Sequence, residues 1–226
     1  MSSGKRIVGV DEAGRGAVIG PLVVAGVAVD EGMAPMLKEA GVKDSKKLTR
    51  RSREEIYSWI TSSGIEKSVE IITPDKVDQY TRRCGGPGIN TLELEAIISI
   101  AKTLRPEILI VDSPTRNTMS IRSKISQHLP NTSIICECHA DERYPVVAAA
   151  SIVAKVTRDA VISELVNTVG ELGSGYPSDP KTIAFLHRLV RQGGITGVAR
   201  RSWRTMDRVM PKLTEYLEWE SSPDEG

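Results

Sequence analysis

Ile108-Leu-Ile-Val-Asp112 is an almost unbroken apolar run that stops at a carboxylate. Alternating apolar and polar residues mark a strand with one wet face, whereas a continuous run marks a strand covered on both faces, the habit of parallel sheets. Outward from it, residues 5–11, 19–29 and 65–73 read as three earlier strands, and 132–138 as a later one. Helical spacing fills most of the intervals. Ile56, Trp59 and Ile60 predict a helix over 52–63, and Thr73-Pro-Asp opens a short one at 74–81. Leu94, Ile97, Ile98 and Ala101 predict another over about 90–104, followed by 118–129, a long stretch over 143–169, 181–192 and a final helix at 205–219. Three strands, then alternating helix and strand, then helices alone describe an α/β fold. Its mixed five-stranded sheet has an antiparallel meander and parallel crossovers, with a helical C-terminal part. The expected division is a main α/β domain over 1–170, a helical appendage over 171–220 and a disordered tail over 221–226.

At 226 residues the chain suits one domain with a small appendage. A single Phe among few aromatics means an aliphatic core. No apolar run reaches the ~18 residues of a membrane span, and the first residues lack the apolar segment of a secretory signal. An odd count of cysteines argues against a disulfide framework, so the cytoplasm is the expected location.

Net charge is only +1, but its distribution is uneven. Lys43, Lys46, Lys47, Arg50, Arg51 and Arg53 surround the lone acid Asp44, and a second basic run spans Arg200 to Lys212 with Asp207 alone. Either run can be a solvated helix face or a phosphate-binding patch.

Carboxylates stand at the ends of strands: Asp11 with Glu12, Asp112, and Asp141 just past the last strand. Converging carboxylates repel unless cations neutralise them, and a hard, oxygen-seeking ion such as Mg²⁺ or Mn²⁺ does so. Two such ions form a known clamp for phosphodiester hydrolysis. By pattern alone, ordinary strand-terminal acids remain an equal alternative. In a regular strand Asp11 and Glu12 also face opposite ways, so reaching one site requires the strand to end or twist, which Gly14 and Gly16 permit.

Other chemistries fit less well. Gly14-Arg-Gly16-Ala-Val-Ile-Gly20 places its third glycine one residue late for a dinucleotide fingerprint, and a Gly-Pro and a strand follow where a helix is required. Cys136-Glu-Cys138-His139 lacks the paired spacings of a zinc site, and no nucleophile elbow is present for acyl transfer.

Gly9-Val-Asp-Glu-Ala-Gly-Arg-Gly16 resembles the ribonuclease HII family at a highly specific motif. The resemblance continues through Asp44-Ser-Lys-Lys-Leu48, Val111-Asp112-Ser113, His139-Ala-Asp141 and Ala148-Ala-Ala-Ser-Ile-Val-Ala-Lys155. It ends with Gly173-Ser-Gly-Tyr-Pro-Ser-Asp-Pro-Lys181 and Arg201-Ser-Trp203, and the tyrosine loop looks archaeal or eukaryotic. It implies a ribonuclease H-like fold with Asp11, Glu12, Asp112 and Asp141 as ligands or organisers of two Mg²⁺ or Mn²⁺ ions. Gly14, Arg15 and Gly16 become the loop that reads a ribose 2′-hydroxyl. Tyr176 stacks on the next deoxynucleotide sugar, and Ser45, Lys46, Lys47, Arg200 and Arg201 hold phosphates. The implied substrates are RNA/DNA hybrids and duplex DNA with embedded ribonucleotides, cut by a monomer. A replication-clamp contact is left open. Ala17 stands where the family often has Pro, which is expected to loosen the loop slightly. A junction-resolving nuclease of related fold gives Tyr176 and the glycine loop no purpose. A non-catalytic hybrid binder would gain affinity by losing the four acids.

Overall fold

The computed structural model describes residues 4–42, 48–193 and 197–210. Five strands form one sheet: β1 (Arg6–Ala13), β2 (Leu22–Asp30), β3 (Glu66–Ile72), β4 (Ile108–Asp112) and β5 (Ser133–Glu137). Their order is β3-β2-β1-β4-β5, with β1–β2 and β2–β3 antiparallel and β1–β4 and β4–β5 parallel. This is the mixed sheet that the order of strands and helices predicts.

Helices cover both faces. α1 (Ala34–Glu39), α2 (Arg50–Ser62) and the long α7 (Pro145–Val169) lie on one side, where Ala25, Val27, Ile110 and Ala149 share a core. On the other, α3 (Pro74–Tyr80), α4 (Ile89–Leu104) and α5 (Thr118–His128) pack over Val8, Val10, Val24 and Leu109. A third cluster joins α8 (Pro180–Arg191) and α9 (Met206–Val209) to Val18, Ile19 and Leu172. Among the described residues no helix is long and apolar enough to cross a membrane.

Alternation along β1 decides where the acids go. Val8 and Val10 face the α4 side, so Asp11 faces α7 and Glu12 faces α4. β4 follows the same phase: Ile110 belongs to the α7-side core, and Asp112, two residues on, shares its face.

Several elements differ from the sequence reading, β1 among them, which runs to Ala13 and not only to residue 11. β2 begins at Leu22 rather than residue 19, because Val18 and Ile19 donate to Gly175 O and Gly20 to Val198 O, which ties 18–20 to distant loops. The long helix expected over 143–169 starts at Pro145, and a separate short helix that was not expected precedes it. Short α6 (Ala140–Arg143) ends at Tyr144, which is extended before Pro145 as the proline ring requires. The six-residue α1 carries too little periodicity to be seen. Of the helix expected at 205–219, Met206–Val209 is helical, and the part from 211 onward, like the 221–226 tail, lies outside the described residues.

Candidate active site

Carboxylate oxygens of Asp11, Asp112 and Asp141 lie within 4.8 Å of one another. Each arrives by a different route. Asp11 is on β1 and Asp112 ends β4, and the parallel register that pairs Val10 with Val111 sets the two acids side by side. Asp141 comes from α6, entered through His139 with φ +60°, a left-handed turn that swings the chain back over the sheet edge. The Ala140 N–H donates to Asp112 Oδ1 at 3.0 Å, which fixes that carboxylate against the same turn.

Asp11 and Asp141 are buried and Asp112 is half-buried. Burial, and then the charges of Asp112 and Asp141, push the Asp11 carboxyl up to about 6. Hydrogen bonds from the Ser151 hydroxyl and the Glu12 N–H, the latter at 2.7 Å, act the other way. Three oxygen-donor side chains in mutual repulsion suit a hard divalent cation.

Glu12 is not in this group of three. The strand runs on through Ala13, so the departure expected at the glycines comes too late, and Glu12 faces α4. Its carboxyl is pushed well above the usual range, by burial first and then by Asp11, Glu93 and Asp112, with Arg15 opposing. Glu93, a buried acid on α4, was missed by the sequence reading. It falls in phase with Ile97 and Ile100 on the covered face of that helix, and an acid in that phase is the signal that could have found it.

The glycine loop is held from several sides. Arg15 turns its side chain back to α4, donating to Glu93 Oε1 at 2.7 Å and Asn90 Oδ1 at 2.6 Å. Gly14 has φ +82°, and a Cβ there would stand 2.5 Å from Arg158 Nε. Gly16 is exposed, and a Cβ on it would meet nothing within 4 Å. Ala17 N–H donates to Gly14 O at 3.2 Å, a turn-closing bond that Pro could not make and that offsets the expected loosening.

Tyr176 is half-buried, with the Arg158 guanidinium 4.8 Å from its ring centre. Its loop is stitched to the glycine loop through Gly175 O and braced by Thr182, whose hydroxyl accepts from Gly175 N–H at 2.9 Å. Arg201 is exposed. Arg200, expected at a phosphate, is instead fully buried, and carbonyl oxygens of the chain itself occupy its guanidinium. Ser45, Lys46 and Lys47 lie outside the described residues. Cys136 is buried, and burial raises its thiol to about 11, as befits a packing residue.

The ribonuclease HII family model matches residues 8–206. Ribonuclease HII from Methanococcus maripaludis strain C5 is 42% identical over 221 residues, covering 95% of this chain and 91% of that protein. The crystal structure of ribonuclease H2 from Pyrococcus horikoshii OT3 superposes with a TM-score of 0.82 at 38% identity, over 90% of this chain and 96% of that one. The structure of the PCNA:RNase HII complex from Archaeoglobus fulgidus gives 0.81 at 38% identity, over 93% and 99%. The sequence motif and the five-stranded mixed sheet agree with these matches. The chain belongs to the ribonuclease HII family of endoribonucleases.

Proposed function

We propose that this protein hydrolyses the RNA strand of RNA/DNA hybrids and cuts duplex DNA on the 5′ side of embedded ribonucleotides, leaving a 3′-hydroxyl and a 5′-phosphate. The observation that carries this reading is the convergence of Asp11, Asp112 and Asp141 within 4.8 Å. In this reading the three acids, joined by Glu12 from the α4 side, hold two Mg²⁺ or Mn²⁺ ions. When bound, the ions supply Lewis-acid polarisation of the phosphate and a nucleophile at neutral pH.

The chain's own groups supply position and selectivity. Ser151 and the Ala140 N–H orient two of the carboxylates before any ligand arrives. Gly16 gives a sugar room to approach the backbone, since neither an unusual φ nor a neighbour within 4 Å gives it another reason to lack a side chain. Tyr176, backed by Arg158, offers a face to the neighbouring deoxyribose. Arg201, with Ser45, Lys46 and Lys47, takes the phosphates, and the C-terminal region over 171–220 orients the duplex. Free thiols at Cys84, Cys136 and Cys138 accord with a cytoplasmic location. A sliding-clamp contact like that of the Archaeoglobus relative is the corresponding partner proposal.

The deciding experiment is cleavage of a DNA duplex bearing one ribonucleotide, with and without divalent ion, by wild type and Asp11→Asn. Cutting only with the ion, only at the ribonucleotide and only by wild type is expected. Equal cutting of an all-DNA duplex overturns the substrate assignment.

A further inference from the structure

A buried guanidinium needs acceptors for its donors, and Arg200 finds them on one loop. Nη2 donates to Gly14 O at 2.8 Å and Gly20 O at 3.2 Å, and Nη1 to Arg15 O at 2.9 Å. The Trp203 ring covers the group with its centre 4.9 Å away. Burial, then the like charge of Arg158, lowers its pKa to about 10, which leaves it charged at neutral pH.

The backbone that carries Arg200 is itself pinned. Its N–H donates to Val18 O at 2.8 Å. Asp78, buried on α3, accepts from the N–H groups of Arg201 at 2.8 Å and Ser202 at 3.0 Å, and from the Ser202 hydroxyl at 2.5 Å. The fork therefore has a fixed base, and it grips two successive carbonyls.

In a trans peptide the C=O and N–H point in opposite directions. Among the described residues no peptide bond is cis. Drawing the Gly14 and Arg15 carbonyls toward the guanidinium thus turns the N–H groups of Arg15 and Gly16 away from it, at the point where Gly16 is exposed. We propose that Arg200 is a positioning residue that presets these two N–H groups as donors for the sugar of a bound ribonucleotide. The proposal rests on reading Gly14-Arg-Gly16 as the loop that meets the 2′-hydroxyl. Lysine cannot replace the fork, since its compact ammonium lacks the planar spacing that spans two carbonyls.

The test uses Arg200→Lys and Arg200→Gln, with Asp78→Asn as a variant that keeps the guanidinium but loosens its base. Three quantities are read: kcat and KM on the single-ribonucleotide duplex, Mn²⁺ affinity by calorimetry, and the salt dependence of duplex binding in EDTA. The expected result for R200K is a kcat lower by about ten- to a hundredfold, with R200Q lower still and D78N lowered less. KM and Mn²⁺ affinity stay within about threefold, and the salt slope is unchanged. A slope reduced by about one unit with raised KM and intact kcat would mean direct phosphate contact and overturns the proposal. Undiminished kcat in folded variants overturns it too. If neither Arg200 variant folds, D78N decides by the same criterion. Should wild type cut all-DNA duplex equally, the loop reading itself has failed; if wild type discriminates and the variants keep full rate, the positioning role alone has failed.

Discussion

The backbone of Gly9 in β1 lies directly against that of Val146 in α7: a Cβ on Gly9 would stand 2.5 Å from the Val146 carbonyl carbon and 2.6 Å from its oxygen. Backbone cannot yield as a side-chain tip can, so any residue larger than glycine must displace the helix. Ser151 on the same helix would then leave Asp11. Gly9→Ala is expected to cost about 2–3 kcal/mol, as overpacking does, and to lower activity even below the unfolding transition. Denaturant unfolding beside cleavage assays checks both. Gly26→Ala on the opposite face meets the Ile100 side chain and should cost less.

Metal-free protein should grow less stable as pH rises. Asp11 has its carboxyl raised to about 6 from an ordinary 3.8, so its neutral form is favoured in the folded state. That contribution is complete below about 3.8 and is lost as pH climbs through 6, amounting to on the order of 3 kcal/mol for this group. Melting curves in EDTA across that window should show the decline, and Mn²⁺ should reverse it near neutrality. Asp11→Asn should flatten the dependence; an unchanged slope would refute the assignment to Asp11.

Gly16→Ala and Gly14→Ala should part company. At Gly16 the added methyl meets nothing in this chain, so stability should hold or rise by up to about 1 kcal/mol while ribonucleotide cleavage falls at least tenfold. At Gly14 the methyl strikes Arg158 and the φ of +82° is strained, so stability itself should drop. Thermal unfolding and kcat/KM on one substrate separate the two cases.

Tyr176→Phe keeps the ring over Arg158 and should leave stability within about 0.5 kcal/mol and activity within a few-fold. Tyr176→Ala removes the ring, costing about 1 kcal/mol of cation–π and packing energy. Its rate on a single embedded ribonucleotide should fall more than its rate on a long hybrid. Parallel time courses on the two substrates test this; equal losses would deny Tyr176 any role at the junction.

Much of this arrangement was legible because short-range rules govern it. The apolar run at 108–112 gave a central strand, and alternation from Val10 and Ile110 places Asp11 and Asp112 on one face. The same rule predicted that Glu12 would face away unless the strand broke, and the strand does not break. Asp141 is harder, because its approach depends on the left-handed turn at His139, a conformation residue type alone does not announce. Arg200 was misread for a physical reason. A basic residue within a basic run looks solvated, and only carbonyl acceptors far away in sequence make its burial tolerable. Glu93 hid behind its neighbours Leu92 and Leu94, since its phase matters and its composition does not.

The grip of Arg200 on Gly14 spans 186 positions. During synthesis, the peptide groups after Gly14 must therefore wait for a segment made 186 residues later before they are locked. A ribosome-bound chain can assemble the sheet through β5 and still have an unlatched loop. Such distant closure slows the locking of this loop, and it means that all five strands are made before the loop after β1 can be set.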